Sequence, residues 1–182
     1  PPADYRALDI SIRGASTSFK VLFREELLGT AVLNVPGLFN VYNALATIAV
    51  AREIDMDFQT IVNGLQTFTG VQRRLEVKGT AGGVTVVDDY GHHPTEIRET
   101  LAAARHVWKG RLIVVFQPHR FTRTRALFEE FTGAFPDADL LVLTDIYAAS
   151  EAPIPGVNSE SLAAAIRERE KREVLYLADF DA

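Results

Sequence analysis

The sequence contains no cysteine, one methionine and one tryptophan among its 182 residues. Without cysteine the chain has no disulfide framework, no thiolate metal site and no cysteine nucleophile. Its formal net charge of −5 argues against a protein that coats nucleic acid or binds a membrane through a polybasic surface, because both draw affinity from clustered Lys and Arg. No apolar run reaches the roughly 20 residues that cross a bilayer. These absences predict a cytoplasmic protein that binds neither nucleic acid nor a membrane.

Two phosphate-binding motifs are also missing. The sequence contains neither the loop pattern G-x-x-x-x-G-K-S/T nor a G-x-G-x-x-G run after a predicted strand. If the protein uses a nucleoside triphosphate, residues outside this sequence must hold its phosphates. The chain also begins at Pro1 without an initiator Met and ends just after an apolar run at 174–177. We therefore expect it to be a segment of a longer protein.

The spacing of apolar residues changes near Gly70. Before it, alternating apolar residues predict an antiparallel β meander, and two helical patterns follow. After it, a hairpin leads into strands that alternate with helices, a pattern typical of a doubly wound, mostly parallel α/β sheet. We expect the tail of one domain over 1–70 and a second domain, incomplete at its end, over 71–182. The predicted strands are 8–13, 19–24, 31–35, 74–78, 84–87, 112–116, 140–143 and 174–177, and the predicted helices are 40–53, 58–65, 95–107, 124–133 and 159–171.

Polar segments follow three of the predicted strands, at 88–94, 117–125 and 144–147. In parallel sheets, ligands bind beyond the carboxyl ends of the strands, where loops lead into helices. The sequence therefore predicts a ligand site at this edge. Asp145 and Glu151 either line it or are solvated loop acids.

The stretch 105–125 is basic in a chain that is acidic overall. It holds six Lys or Arg residues and no Asp or Glu. This reversal of sign favours an anion site, although a solvated helix end followed by a basic loop explains it equally well. Arg120 and Arg123 are the strongest candidates within it, because a planar guanidinium binds a carboxylate or phosphate through two parallel hydrogen bonds.

His92 and His93 follow Asp88 and Asp89, a combination that could ligate a divalent metal. Adjacent histidines point in different directions, and no third ligand stands at a typical spacing, so we expect no metal site. One histidine is better interpreted as a proton-handling group, since its ordinary pKa lies near physiological pH. The other, His93, is placed to cap the helix that Pro94 opens.

Asn40 and Asn43 lie three residues apart, which places both amides on one face of a predicted helix. An amide can pair with the N6 and N7 edge of adenine. The alternative for Asn40 is an ordinary helix N-cap.

Several segments resemble the Mur ligase family, the ATP-dependent ligases that build the peptidoglycan stem peptide. The resemblance is carried by Val-Asp-Asp-Tyr-Gly-His-His-Pro-Thr-Glu at 87–96, Gln-Pro-His-Arg-Phe-Thr-Arg-Thr at 117–124 and Leu-Thr-Asp-Ile-Tyr-Ala-Ala at 143–149, with Pro-Gly-x-x-Asn-x-x-Asn-Ala at 36–44 and Gly-Val-x-Arg-Arg at 70–74. It implies the alanine-adding branch, in which ATP phosphorylates the carboxylate of UDP-N-acetylmuramate and the amine of L-alanine attacks the acyl phosphate. This chain alone would be inactive, and the ligands of Mg²⁺ would lie outside it.

The same resemblance implies a nucleotide site. Asn40 and Asn43 would contact adenine, and Arg74 and Asp89 would contact the ribose or phosphates of ATP. Phe39 departs from the family pattern, since many members have His before the first Asn, and its ring could only stack on the base.

The resemblance also implies an L-alanine site. Tyr90 and His92 would line the pocket, with His92 as the catalytic residue, and Arg120 and Arg123 would hold the substrate carboxylate. The last assignment coincides with the arginine pair argued from charge.

Three alternatives remain open. The murein tripeptide recycling ligase shares the His-His-Pro run with the alanine-adding branch. A noncatalytic small-molecule binding module would use the arginine pair for recognition only. A metal hydrolase would be built on Asp88, Asp89, His92 and His93.

Overall fold

The computed structural model describes residues 3–178, which divide into two compact units. The first unit comprises the described residues up to Asp89 together with Ala102–Lys109, and the second comprises Tyr90–Leu101 and the described residues from Gly110 onward. Each unit has its own hydrophobic core. The domain limits 1–70 and 71–182 stay a prediction.

The first unit opens with the antiparallel meander that the sequence predicts. Its strands β1 (Tyr5–Arg13), β2 (Ser16–Phe23) and β3 (Glu26–Leu33) pair in the order β1-β2-β3. Helices α1 (Leu38–Glu53) and α2 (Phe58–Thr67) follow. A Cβ atom at Gly29 would lie 2.8 Å from the Phe58 ring, so glycine at this position lets the first residue of α2 pack against the sheet. The core of this unit consists of Phe19, Val21, Ala31, Leu33, Val35, Val41, Ala44, Ile48, Ile61 and Val62.

Helix α1 begins two residues earlier than the sequence suggests. Its N-cap is Gly37, whose φ of 100° lies in the region that favours glycine. The N-cap interpretation of Asn40 is therefore wrong. Asn40 is the third helical residue, and its amide folds back on the chain before the helix.

The predicted hairpin near Gly82 is confirmed. Strands β4 (Glu76–Ala81) and β5 (Val84–Asp88) form a two-stranded antiparallel sheet in the first unit. The turn uses Gly82 and Gly83, both with positive φ. Helix α3 (Pro94–Val107) follows.

The second unit contains the parallel sheet. Strands β6 (Ile113–Phe116), β7 (Leu140–Leu143) and β8 (Val174–Tyr176) pair in parallel in the order β6-β7-β8. This sheet, its helices and the preceding meander confirm the predicted α/β class. The buried core of the unit is formed by Ile97, Leu101, Phe116, Phe131, Ala134, Phe135, Ala138, Leu141, Leu143, Leu162, Ala163, Ile166 and Val174.

The single helix predicted over 124–133 is wrong. The structure has two short helices, α4 (Phe121–Ala126) and α5 (Phe128–Phe131), separated by Leu127, whose φ of −115° departs from helical geometry. Helix α4 also starts inside the segment expected to be loop. Helix α6 (Ser159–Glu170) is close to its predicted position, with Asn158 as N-cap accepting a hydrogen bond from the Ser161 amide. Within residues 3–178, no helix is long and apolar enough to cross a membrane.

Candidate functional site

The two asparagines lie together in the first unit, on the opening turns of α1. The Nδ2 amide of Asn40 donates a 2.7 Å hydrogen bond to the carbonyl oxygen of Pro36. The Nδ2 amide of Asn43 lies 3.4 Å from Oδ1 of Asn40. The structure thus confirms that both amides share one face, and it shows the first amide held by the chain itself.

Arg74 and Asp89 also belong to the first unit. An oxygen of the Asp89 carboxylate accepts a 2.9 Å hydrogen bond from the amide of Leu75, the neighbour of Arg74. Both Arg73 and Leu75 have positive φ, 57° and 48°, so the backbone around Arg74 turns sharply. This conformation is uncommon for residues other than glycine, and it brings the 73–75 segment to the end of β5.

The arginine pair lies in the second unit, where α4 begins. Arg120 is the residue before the helix, with φ 73° and ψ 135°, and Arg123 lies one turn further on. The carbonyl oxygen of Arg120 accepts hydrogen bonds from the amide and the hydroxyl of Thr124, the buried residue of α4. A left-handed φ at an arginine is costly and persists only where surrounding contacts impose it.

Those contacts come from the loop that follows β7. The amide of Arg120 donates to the carbonyl of Tyr147, and the amide of Tyr147 donates to the carbonyl of Pro118, both at 2.8 Å. His119 and Tyr147 thereby form an isolated parallel bridge. The loops after two neighbouring strands are joined through their backbones, as expected at the carboxyl edge of a parallel sheet.

The side chain of Glu151 also links the loop after β7 to the start of α4. One carboxylate oxygen accepts a 2.9 Å hydrogen bond from the amide of Thr122, and the other accepts a 2.7 Å hydrogen bond from the Thr122 hydroxyl. Nη1 of Arg120 lies 3.8 Å from the same carboxylate. The Thr122 hydrogen bonds lower the pKa of Glu151 below its ordinary value, and the charge of Arg120 adds to the effect.

Four rings lie in a row at this edge. The ring centroids of Tyr90 and His92 are 5.2 Å apart, those of His92 and His119 are 6.3 Å apart, and those of His119 and Tyr147 are 5.5 Å apart. The Arg123 guanidinium joins the row, because its Nη1 lies 3.1 Å from Nδ1 of His119. The structure therefore brings Tyr90, His92 and Arg123 to one side-chain cluster, linked by His119.

The Nδ1 nitrogen of His92 has two neighbours. Nδ1 lies 2.9 Å from the carbonyl oxygen of Tyr90, an acceptor only, so the neutral ring carries its proton on Nδ1. Nε2 then has a free lone pair that can accept a proton. Oε2 of Glu96 lies 3.6 Å from Nδ1.

The surroundings of His119 favour the neutral form of its ring. Burial lowers its pKa from the ordinary 6.5, and the nearby charges of Arg123, Arg120 and His92 lower it further, against a smaller opposing effect of Glu151. Since an arginine only donates, Nδ1 of the neutral His119 ring accepts the hydrogen bond from Arg123.

The capping role expected of His93 is confirmed. Its Nδ1 accepts a hydrogen bond from the Thr95 amide at 3.3 Å, and its carbonyl accepts one from the Ile97 amide. The carboxylate of Glu96 accepts hydrogen bonds from the amides of His92 and His93. Glu96 thus holds the backbone just before α3, and His93 caps the first turn of the helix.

The role of Asp145 was undecided from the sequence. In the structure its side chain is bound by another residue of the fold. Its Oδ1 accepts a 2.6 Å hydrogen bond from the Tyr176 hydroxyl, and this bond and burial raise the pKa of Tyr176 to about 12. Within residues 3–178, no group of three or more His, Asp or Glu side chains could hold a metal ion. Asp88, Asp89, His92 and His93 do not form such a group.

Sequence reasoning assigned no role to His119 or Tyr147, and it left Glu151 either lining the site or as a solvated loop acid. His119 and Tyr147 stand inside the segments at 117–124 and 143–149, so their position in those motifs was the available signal. The position of Glu151 after the third strand was its signal, but nothing in the spacing indicates that this acid, rather than Asp145, reaches back to α4.

An open α/β sheet with a basic, histidine-containing cluster at its carboxyl edge is an arrangement suited to binding an anion. Residues 73–182 match the family described as Mur ligase, glutamate ligase domain, which covers more than half of the chain. The chain belongs to the Mur ligase family. The match takes in the β4–β5 hairpin, which the structure groups with the first unit.

Known relatives agree with this assignment. The chain is 63% identical over 180 residues to the UDP-N-acetylmuramate–L-alanine ligase of Syntrophus aciditrophicus (strain SB), covering 99% of this chain and 38% of that protein. A crystal structure of UDP-N-acetylmuramate-alanine ligase from Thermotoga maritima is 28% identical, with a TM-score of 0.81 over 98% of this chain and 38% of that one. A murein peptide ligase from Psychrobacter arcticus 273-4 is 27% identical, with a TM-score of 0.64. The chain thus spans less than two fifths of the length of these relatives.

Proposed function

We propose that this chain is part of an ATP-dependent ligase that joins L-alanine to UDP-N-acetylmuramate through an acyl phosphate in peptidoglycan precursor synthesis. The observation that carries the proposal is the cluster of Tyr90, His92 and Arg123, linked by His119, at the carboxyl edge of the parallel sheet, with Arg120 just before α4. The 63% identity to an enzyme of that name supports the same substrate.

In this proposal the second unit handles L-alanine. Arg120 and Arg123 bind its carboxylate, since two guanidinium groups at one helix start can share an anion. Nε2 of His92 accepts the proton that the amine loses as it attacks the acyl phosphate. Tyr90 packs edge-on against His92 and borders the small side chain of the substrate.

The first unit contributes to nucleotide binding. The amides of Asn40 and Asn43 present donors and acceptors suited to the edge of adenine, and Arg74 and Asp89 contact the ribose or phosphates. The triphosphate loop and the ligands of Mg²⁺ belong to other parts of the enzyme. The chain by itself is therefore expected to form no product.

The test uses the full-length enzyme that carries this segment. Arg120→Ala and Arg123→Ala each remove a charge-assisted contact worth about 1.5–3 kcal/mol. The KM for L-alanine should therefore rise about 10- to 150-fold, with the KM for ATP within about twofold of the wild type. Steady-state kinetics with each substrate varied in turn measures both.

Arg125→Ala is the matched control, because Arg125 lies on the same helix with its side chain exposed. It should leave the KM for L-alanine unchanged. Unchanged alanine kinetics in both Arg120→Ala and Arg123→Ala would refute the proposal.

The murein tripeptide recycling ligase is the second candidate, favoured by the structural match to the murein peptide ligase. The two differ in the group that is ligated, a free amino acid or a tripeptide. If the full-length enzyme turned over the tripeptide and not L-alanine, the second candidate would replace the first.

A further inference from the structure

We infer that Glu151 is a positioning residue for the arginine pair: its carboxylate caps α4 and so holds Arg120 and Arg123 in the geometry that binds the substrate carboxylate. The inference rests on the proposed function, in which that substrate is L-alanine. Glu151 lies 28 residues beyond Arg123 in sequence, in the loop that follows β7.

Helix α4 lacks a cap of its own. Its N-cap residue is Arg120, which makes no side-chain capping hydrogen bond. The first amides of a helix have no partner within the helix and need one elsewhere. Glu151 supplies it through Thr122, whose amide and hydroxyl both donate to the carboxylate. Thr122 lies between the two arginines, so this contact fixes the segment that carries both.

The backbone of the loop after β7 turns sharply just before Glu151. Ala149 and Ser150, the two residues before Glu151, have φ of 48° and 71°. Two consecutive left-handed residues other than glycine are uncommon, and such conformations persist where surrounding contacts impose them. The amide of Glu151 then donates to the carbonyl of Ala148, closing the turn. The Glu151 side chain is 20% exposed.

The negative charge of Glu151, taken by itself, would weaken the binding of a substrate carboxylate by the arginines. A carboxylate 3.8 Å from Arg120 lowers the positive potential that attracts a substrate carboxylate. Removal of the charge by itself should therefore strengthen alanine binding slightly. The capping role predicts the opposite sign for a variant that loses the hydrogen bonds.

Two variants separate these effects in the full-length enzyme. Glu151→Ala loses cap and charge, and we expect the KM for L-alanine to rise about five- to tenfold, the equivalent of one helix cap. Glu151→Gln keeps an oxygen that accepts from the Thr122 amide and an amide that donates to the Thr122 hydroxyl, so its KM should stay within twofold of the wild type. The KM for ATP should change in neither variant.

Three results would overturn the inference. An unchanged or lowered KM for L-alanine in Glu151→Ala would show that the cap does not position the arginines. An equal rise in Glu151→Gln would show that the negative charge contacts the substrate amine instead. Parallel losses for ATP and L-alanine would show a general loss of folding. Glu130→Ala, which removes an exposed acid from the neighbouring helix α5, is the matched control.

The cap can also be tested in the 182-residue chain without substrate. Hydrogen exchange at the Thr122 amide should accelerate about five- to tenfold in Glu151→Ala and less in Glu151→Gln. Unchanged exchange would refute the cap.

The failure of this inference can be told apart from the failure of the proposed function. If Arg120→Ala and Arg123→Ala leave alanine kinetics unchanged, the proposed function fails. If they raise the KM for L-alanine and Glu151→Ala does not, only the role of Glu151 fails.

Discussion

The asparagine pair of α1 and the arginine pair of α4 have the same spacing and stand at comparable places, three residues apart where a helix begins. Their support differs. Asn40 is held by the carbonyl of Pro36, and Asn43 by Asn40 itself, on a helix of 16 residues. These bonds are local in sequence and form as the helix forms.

The arginine pair stands on a helix of six residues, too short to be stable alone. Arg120 is fixed by the backbone of Tyr147, and the residue between the arginines by Glu151. The two pairs have equal spacing but are held in place differently. The asparagines are held by contacts within and next to their helix, and the arginines by contacts between loops. Changes outside the helix should disturb the second pair far more than the first.

The largest expected effect comes from truncating a buried side chain of the core that holds the short helices α4 and α5. Phe131 is fully buried, and its ring centroid lies 5.7 Å from that of Phe116. Phe131→Ala should lower the free energy of unfolding by about 3–5 kcal/mol, because the vacated volume is only partly refilled. Urea denaturation of the 182-residue chain measures the loss. Amide exchange should accelerate across α4 and stay unchanged at the start of α1.

Ile48→Ala is the matched change in the first unit, where Ile48 is a fully buried residue of α1. It should cost about 2–5 kcal/mol and accelerate exchange in α1 rather than α4. If either substitution accelerated exchange equally in both helices, the contrast between the pairs would be lost.

A smaller test concerns the asparagine pair. Asn40→Ala removes the hydrogen bond to Pro36 and the acceptor for Asn43, and should cost about 1 kcal/mol of stability. Asn43→Ala removes only the longer, exposed contact and should stay within about 0.5 kcal/mol of the wild type. Denaturant midpoints of the two variants provide the comparison, and a larger loss in Asn43→Ala would reverse the proposed order of support.

The smallest test is the titration of His119, which reports on the arginine pair. Its NMR midpoint should lie below the ordinary 6.5, and Arg123→Ala should move it upward without restoring 6.5, because burial is the larger cause. Since the unfolded chain binds this proton more readily, the contribution of His119 to stability is complete above about pH 6.5 and declines as the pH falls toward the folded value. A midpoint that does not change in Arg123→Ala would contradict the placement of Arg123 beside the ring.

Sequence reasoning went furthest where order is local. The meander, the hairpin and the parallel strands follow from apolar spacing and turn residues, and the shared face of Asn40 and Asn43 follows from helical geometry. The cap at His93 was equally accessible, since Pro94 and Glu96 mark the helix start. Sequence reasoning failed in the segment 117–133, where a loop and one helix over 124–133 were predicted and the two short helices α4 and α5 occur. That segment is helical because of partners that lie 20 or more residues away.

The sequence by itself determined the class of the fold, the family and the identities of the candidate site residues, because periodicity and motifs are properties of neighbouring residues. Only the tertiary structure decided how the arginine pair is held, that His119 links it to His92, and that Glu151 reaches Thr122. Hydrogen bonds between loops depend on which strands lie side by side, and the pairing of β6 with β7 brings these loops together. No spacing along the chain encodes that contact directly.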